Sequence, residues 1–323
     1  MPADYIRKQT LTNAERYITE ELKEYESKVL GAAERIKALE YQIFSDLRES
    51  IRLQAEALKE IAWALSLLDV LQSFAWVANR YQYVRPTITP KKELDLKGAR
   101  HPILERLVDD FVPNDIALPS KEPFMIITGP NMAGKSTVMR TAALNIILAQ
   151  MGCFVPCSSA TIGICDKVFT RVGAHDHLQQ GLSTFMVEMV ETAKILREAT
   201  AKSFILLDEI GRGTSTFDGV SIAWSVAEDI CDRIGARTLF ATHYHELCDL
   251  AEQKTGVSNY HVAIREWNDQ IIFMHQLKRG GMNRSYGVTV ASMAGLPAKA
   301  VERAHEILEL LERKDLSFKA DVE

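Results

Sequence analysis

A strongly apolar run, FMIIT (residues 124–128), leads directly into Gly129-x4-Gly134-Lys135-Ser136, and a helical pattern begins at about Lys135. No other feature constrains the fold as tightly. Gly129 and Gly134 let the backbone turn its N–H groups inward onto phosphate oxygens. Pro130, Asn131, Met132 and Ala133 form the body of the loop, and Thr137 follows it. Lys135 is placed to set its ammonium against the β and γ phosphates of a nucleotide, and the Ser136 hydroxyl to hold Mg2+. Such a loop needs a buried strand before it and a helix after it, so the expected fold class is α/β around a P-loop core.

The flanking sequence agrees. KVFTRV (167–172), SFILLD (203–208) and RTLFA (237–241) read as further buried strands, separated by helical stretches near 135–150, 184–199 and 218–233. This alternation predicts a parallel sheet covered by helices. VSNYHVAIRE and QIIFMHQL flank Asn268 and Asp269 and predict a hairpin. From about Ser285 to Leu311 the pattern is that of two short helices hinged at Gly295 and Pro297.

Residues 1 to about 85 differ in character, with no proline after Pro2 and a single glycine, Gly31. Apolar residues recur at helical spacing in Ile36, Leu39, Ile43 and Leu47, and again in Leu58, Ile61, Leu65 and Leu68. The segment predicts long helices opened by a capping box at Thr12 to Glu15, and nothing in it suggests catalysis. Pro86 and Pro90 break the pattern. The expected organisation is a long-helix region over 1–92, a P-loop domain over 93–280 and a helical segment over 281–323.

Three further motifs carry chemistry. In FILLDEIGRGTSTFDG (204–219) a strand ends in Asp208 and Glu209, which sets two carboxylates at the sheet edge where α/β folds bind ligands. Asp208 is expected to hold the metal shell through water, and Glu209 to orient and deprotonate an attacking water, a role simple kinases do not need. In LFATHYHEL a strand delivers His243 to the same edge, where a histidine can sense or stabilise a γ-phosphate. Taken singly a histidine is more often structural, and His245, His175 and His177 are read as ordinary polar residues. In GLSTFMVEM (181–189), Ser183 and Thr184 read as the cap of a helix whose N–H groups could grip phosphate; on the residues alone, capping is the simpler account.

Composition excludes several classes. Of 323 residues 47% are apolar and 25% charged, with a formal charge of −5, which argues against a uniformly basic nucleic-acid binder and for an ordinary globular chain of two or three domains. No apolar run is read as reaching membrane-spanning length and the start of the chain has no apolar signal-type segment, so a soluble, cytoplasmic protein with no membrane partner is expected. Cys153, Cys157, Cys165, Cys231 and Cys248 contain no CxxC pair, which favours reduced thiols over a metal site.

Together the motifs TGPNMAGKSTVMR, STFMVEM, DEIGRGTSTFDG and ATHYHEL resemble those of the bacterial mismatch-repair ATPase family, MutS. The resemblance covers essentially the whole chain. YIRKQTLTNAERY looks like the point where the family's DNA clamp rejoins its lever helices, and SYGVTVASMAGLP like its C-terminal helix-turn-helix dimerisation segment. The resemblance implies an ABC-type dimeric ATPase using ATP and Mg2+, with composite sites at the subunit interface. Ser183 would then reach the γ-phosphate bound to the other subunit, and Phe111 and His275 would hold the adenine. Asn131 would lie beside the phosphates, and Thr214 and Ser215 on the segment crossing the interface. Mismatched double-stranded DNA and a MutL-type repair protein are the partners implied for the intact protein.

Two departures matter. Ala133 stands where many members carry glycine; if the backbone there needs a positive φ, alanine costs about 1 kcal/mol. The family's mismatch-reading Gly-x-Phe-x-Glu motif is absent from these residues, so mismatch reading is not expected of this chain, which looks like the C-terminal portion of a member. Alternatives at this stage are a MutS-like ATPase of another DNA or ribosome transaction, and a non-catalytic dimerising fragment.

Overall fold

A computed structural model describes residues 4–172, 183–267, 270–282 and 286–320, without the side chains of 267, 270 and 312–320. The chain divides into two units, Met1–Ser73 and Phe74–Glu323.

The first unit opens with an antiparallel hairpin, β1 (Ile6–Leu11) and β2 (Ala14–Ile18), in which Leu11 pairs with Ala14. Thr12 and Asn13 are therefore a two-residue turn, which corrects the expectation of a helix cap there. Asn suits such a turn, and Glu15 pairs across the hairpin with Arg7 at 3.1 Å. The true cap is Thr19, whose hydroxyl accepts from the Leu22 N–H at 3.1 Å, with Glu20 and Glu21 favourably placed in the first turn. Helix α1 (Glu20–Leu53) comes next, then α2 (Ala55–Tyr81), which continues into the second unit. Helix α2 corrects the expectation that no apolar run reaches membrane-spanning length. By length and composition alone it is long and apolar enough to cross a membrane, with a mean hydropathy of 1.5 over an 18-residue window. Ser66, Asp69, Gln72 and Ser73 interrupt the run without lowering its mean far.

In the second unit, β3 (Thr87–Thr89), β4 (Leu94–Ala99) and β5 (Asn114–Leu118) precede β6 (Phe124–Thr128) and α3 (Lys135–Gln150). Then come β7 (Ser159–Gly163), β8 (Val168–Arg171), α4 (Thr184–Glu198), β9 (Phe204–Asp208) and α5 (Thr216–Asp229), whose last turn loosens into a π-helical turn over Ile230–Ile234. Strand β10 (Arg237–Ala241), α6 (Leu250–Gln253), the hairpin β11 (Val257–Trp267) and β12 (Gln270–Arg279), α7 (Gly287–Met293) and α8 (Ala298–Ala320) complete it. The hairpin's turn residues, Asn268 and Asp269, lie outside the described residues. The hinge at Gly295, with φ +90°, separates α7 from α8, but α8 is a long helix of 23 residues rather than a short one. Its pattern HEILELLERK keeps helical spacing past Leu311 with no breaker to stop it.

A six-stranded sheet in the order β12-β11-β6-β10-β9-β8 forms the centre, parallel except for the edge strand β12. Period-two alternation sends its side chains to two cores. Met125, Ile127, Leu206 and Leu239 join Val138, Met139 and Ile146 of α3 on one side. Phe124, Ile126, Ile205, Leu207 and Phe240 join Ile195 of α4 and Ala223 and Val226 of α5 on the other. A second sheet, β3-β7-β4-β5, places Leu94, Leu96, Ile116 and Ile162 in the α3-side core.

Candidate functional site

Strand register builds the site. Ala241 of β10 pairs with Ile127 of β6 on one side and with Asp208 of β9 on the other. Three adjacent parallel strands therefore end level, and the segments leaving them emerge side by side at the carboxyl edge. After β6 comes the Gly129–Gly134 loop, after β9 Glu209, and after β10 His243. Segments distant in sequence are thereby brought within hydrogen-bonding reach.

The loop turns through three positive φ values, at Gly129 (139°), Met132 (68°) and Gly134 (108°). Gly134 is the N-cap of α3. Ala133 has no positive φ and is fully buried, so the anticipated cost of alanine does not arise; the unusual dihedral falls on the exposed neighbour Met132. Lys135 is buried, and its Nζ donates to the carbonyls of Gly129 (2.6 Å) and Pro130 (3.2 Å) and lies 3.6 Å from Glu209 Oε1. Burial pulls its pKa below the ordinary lysine value, partly countered by Glu209 and Asp208. Ser136 Oγ donates to Asp208 Oδ2 at 2.5 Å, whereas Asp208 Oδ1 is buried with no hydrogen-bond partner. Burial raises the Asp208 pKa, with the Ser136 hydrogen bond acting against it. An orphaned carboxylate oxygen beside a serine hydroxyl is the chemistry a hydrated divalent cation satisfies. Among the described residues no group of three His, Cys, Asp or Glu forms a metal cage of its own.

Glu209 stands at the hub, its backbone at φ +60° and its N–H bonded to the Ala241 carbonyl at 2.9 Å. Its carboxylate meets His243 Nε2, the Arg212 guanidinium and Lys135. Burial would raise its pKa, but the His243 hydrogen bond and the charges of His243, Arg212 and Lys135 outweigh burial and hold the carboxyl below its usual range. The Asn131 amide completes the cluster. With its nitrogen turned inward it donates to Glu209 Oε1 (3.3 Å), and its oxygen accepts from Arg212 (3.3 Å).

On the other flank of the loop, Phe111 and His275 line one cleft of about 200 Å³ together with Met132 and Thr137. His275 has φ +53°, and its Nδ1 lies 2.8 Å from the Ala133 carbonyl. Asn114 braces that conformation by donating to the His275 carbonyl (2.9 Å) and accepting from the Leu277 N–H (2.6 Å).

Ser183 is the N-cap of α4 and accepts from the Met186 N–H at 3.2 Å; Ser215 caps α5 in the same way through Asp218. His175 and His177, with Gly181 and Leu182 of the GLSTFMVEM motif, lie outside the described residues. His245 opens a short 3-10 turn, with a buried Nδ1 that lacks a partner. The sequence reading assigns no role to Arg212, Tyr244 or Glu188. Each lies within a quoted motif, Arg212 in DEIGRGTST, Tyr244 in ATHYHEL and Glu188 in STFMVEM, and that membership is the sequence signal that marks them; their partners emerge only from the fold.

Comparison with known proteins places this arrangement. The family profile described as MutS domain V matches residues 125–312, and that described as MutS family domain IV matches residues 1–35. A protein named DNA mismatch repair protein MutS from Symbiobacterium thermophilum is 56% identical over 98% of this chain and 36% of its own length. Its namesake from Thermodesulfovibrio yellowstonii is 52% identical over 98% of this chain and 38% of its own length, and that from Caldanaerobacter subterraneus 54% identical over 100% and 37%. The chain thus spans little more than a third of the length of these relatives. With the domain V match covering more than half of its residues, including the loop, the paired carboxylates and His243, the chain belongs to the MutS family.

Proposed function

We propose that this chain binds and hydrolyses ATP, as the dimerising ATPase portion of a DNA mismatch repair MutS protein. One observation carries the reading: three level strand ends bring the glycine loop, the Asp208–Glu209 pair and His243 together.

In this reading Lys135 exchanges its two carbonyl acceptors for phosphate oxygens, and the N-terminus of α3 contributes its N–H groups and dipole. Ser136 and, through water, Asp208 would hold Mg2+, which would supply charge neutralisation to the nucleotide phosphates. Glu209 remains ionised at neutral pH and has lone pairs to spare beyond His243 and Arg212, so it orients the attacking water and accepts its proton. His243, against the same carboxylate, is placed to register the γ-phosphate. Phe111 and His275 take the adenine in their shared cleft. Ser183 of the partner subunit reaches the γ-phosphate, with Thr214 and Ser215 on the crossing segment and α7–α8 as the dimerising helix-turn-helix. The long helices of residues 1–92 act as levers that couple nucleotide state to clamping on mismatched DNA, and a MutL-type protein reads the clamped state.

The test is Glu209→Ala. Turnover is expected to fall by about 100-fold or more while ATP affinity changes by less than about threefold. Phosphate release and fluorescent-nucleotide titration read the two separately, and unchanged turnover would remove Glu209 as the base.

A further inference from the structure

Glu188 is a buried carboxylate, 6% exposed, on the second turn of α4, and the mechanism above leaves it unused. A carboxylate is rarely taken out of water without specific partners. Here Oε1 accepts from the Gly211 N–H at 2.5 Å, and Oε2 lies 3.6 Å from Arg171, which also pairs with Glu191 at 3.1 Å.

Gly211 lies two residues beyond Glu209 and is held on every side. Glu188 takes its N–H, and the Tyr244 hydroxyl donates to its carbonyl at 2.9 Å. Its φ is +92°, and a Cβ there would come within 2.6 Å of the Gly219 carbonyl oxygen. A second contact joins the same two segments: a Cβ on Gly213 would sit 2.6 Å from Cβ of Phe185, in the first turn of α4. Helix α4 therefore touches the turn that carries the base at two points, through Glu188 on Gly211 and Phe185 on Gly213. Ser183, at the cap of α4, shares that rigid helix.

We propose that Glu188 is a positioning residue for hydrolysis: its carboxylate fixes the Gly211 peptide, and with it the orientation of Glu209, so that the Glu209–Gly213 turn moves with the helix capped by Ser183. Resting on the ATPase reading above, this makes Glu188 the link within one subunit between the serine that faces the partner's nucleotide and the base that acts on its own.

Glu188→Gln and Glu188→Asp in the full chain separate this role from a purely structural one. Gln keeps the reach and the acceptor oxygen but loses the charge that faces Arg171. Asp keeps the charge but is one methylene short of the Gly211 N–H. The Asp variant is expected to lose about tenfold or more in kcat with KM within about threefold, and the Gln variant to stay within about threefold of the parent in both. The opposite ranking, or equal kcat in all three proteins, overturns the proposal. Amide exchange at Gly211 gives a readout independent of turnover: about tenfold faster in Glu188→Asp and near the parent rate in Glu188→Gln, with unchanged exchange in the Asp variant refuting the tether. Should the parent chain hydrolyse no ATP, the ATPase reading fails while the exchange rates still judge the tether. Should Glu188→Asp not fold, Glu188→Gln decides, because a large loss of kcat in that variant overturns the acceptor role.

Discussion

Replacing Met132 and Ala133 by glycine, one at a time, should give unequal consequences for stability at adjacent positions. Ala133 is fully buried in the α3-side core and has no positive φ. Ala133→Gly removes a buried methyl worth about 0.8 kcal/mol. It also frees the unfolded backbone by about 0.4–1 kcal/mol, for a total loss of about 1–2 kcal/mol. Met132 has φ +68° and is 76% exposed, so glycine there relieves about 1 kcal/mol of left-handed strain and forfeits little packing. The same unfolded-state term of about 0.4–1 kcal/mol offsets that relief and leaves Met132→Gly near neutral. Urea denaturation followed by circular dichroism should show a midpoint roughly a few tenths of a molar lower for Ala133→Gly and an unmoved midpoint for Met132→Gly. If Ala133→Gly were as stable as the parent, or more so, position 133 would carry the strained dihedral and the account of the loop would be wrong.

Two further outcomes are expected. Asp166 accepts from Thr200 Oγ1 (2.6 Å) and Ser203 Oγ (2.8 Å); slight burial raises its pKa, but these bonds outweigh it and hold the carboxyl below the ordinary value. The stabilisation is thus present above the unfolded pKa and lost as pH falls through the folded one, so between about pH 5 and pH 3 the parent should lose more melting temperature than Asp166→Asn. Arg237 is fully buried and donates to the carbonyls of Glu93 (3.1 Å), Gly163 (2.7 Å), Ile164 (2.9 Å) and Lys202 (3.4 Å). Arg237→Met leaves those acceptors without their donor and should cost about 3 kcal/mol or more in urea denaturation; a loss under about 1 kcal/mol would refute the clamp.

The central strands were legible because each is a short, continuous apolar run of a kind that only a doubly covered strand needs, and β6, β9 and β10 lie where those runs predict. Strand β4 is not legible in the sequence although Leu94 and Leu96 alternate with Asp95 and Lys97, because six residues of alternation also suit a loop. Thr12 to Glu15 misled for a related reason: Thr and Asn serve helix caps and tight turns equally well, and the pairing of Leu11 with Ala14 decides between them. Helix α2 is apolar in its mean hydropathy and not as an unbroken run, because Ser66, Asp69, Gln72 and Ser73 divide it.

At the candidate site, residue types and spacing were enough to select the loop, Asp208, Glu209 and His243, since each sits at the end of a recognisable strand. Sequence by itself determined which functional groups stand at strand ends and in what order, because local periodicity and glycine spacing are properties of contiguous residues. Only the tertiary structure decided that these ends lie level, that the left-handed dihedral falls on Met132 rather than Ala133, and that Glu188 reaches Gly211. Those outcomes depend on strand register and burial, which arise between segments far apart in the chain and leave no periodic trace within either one.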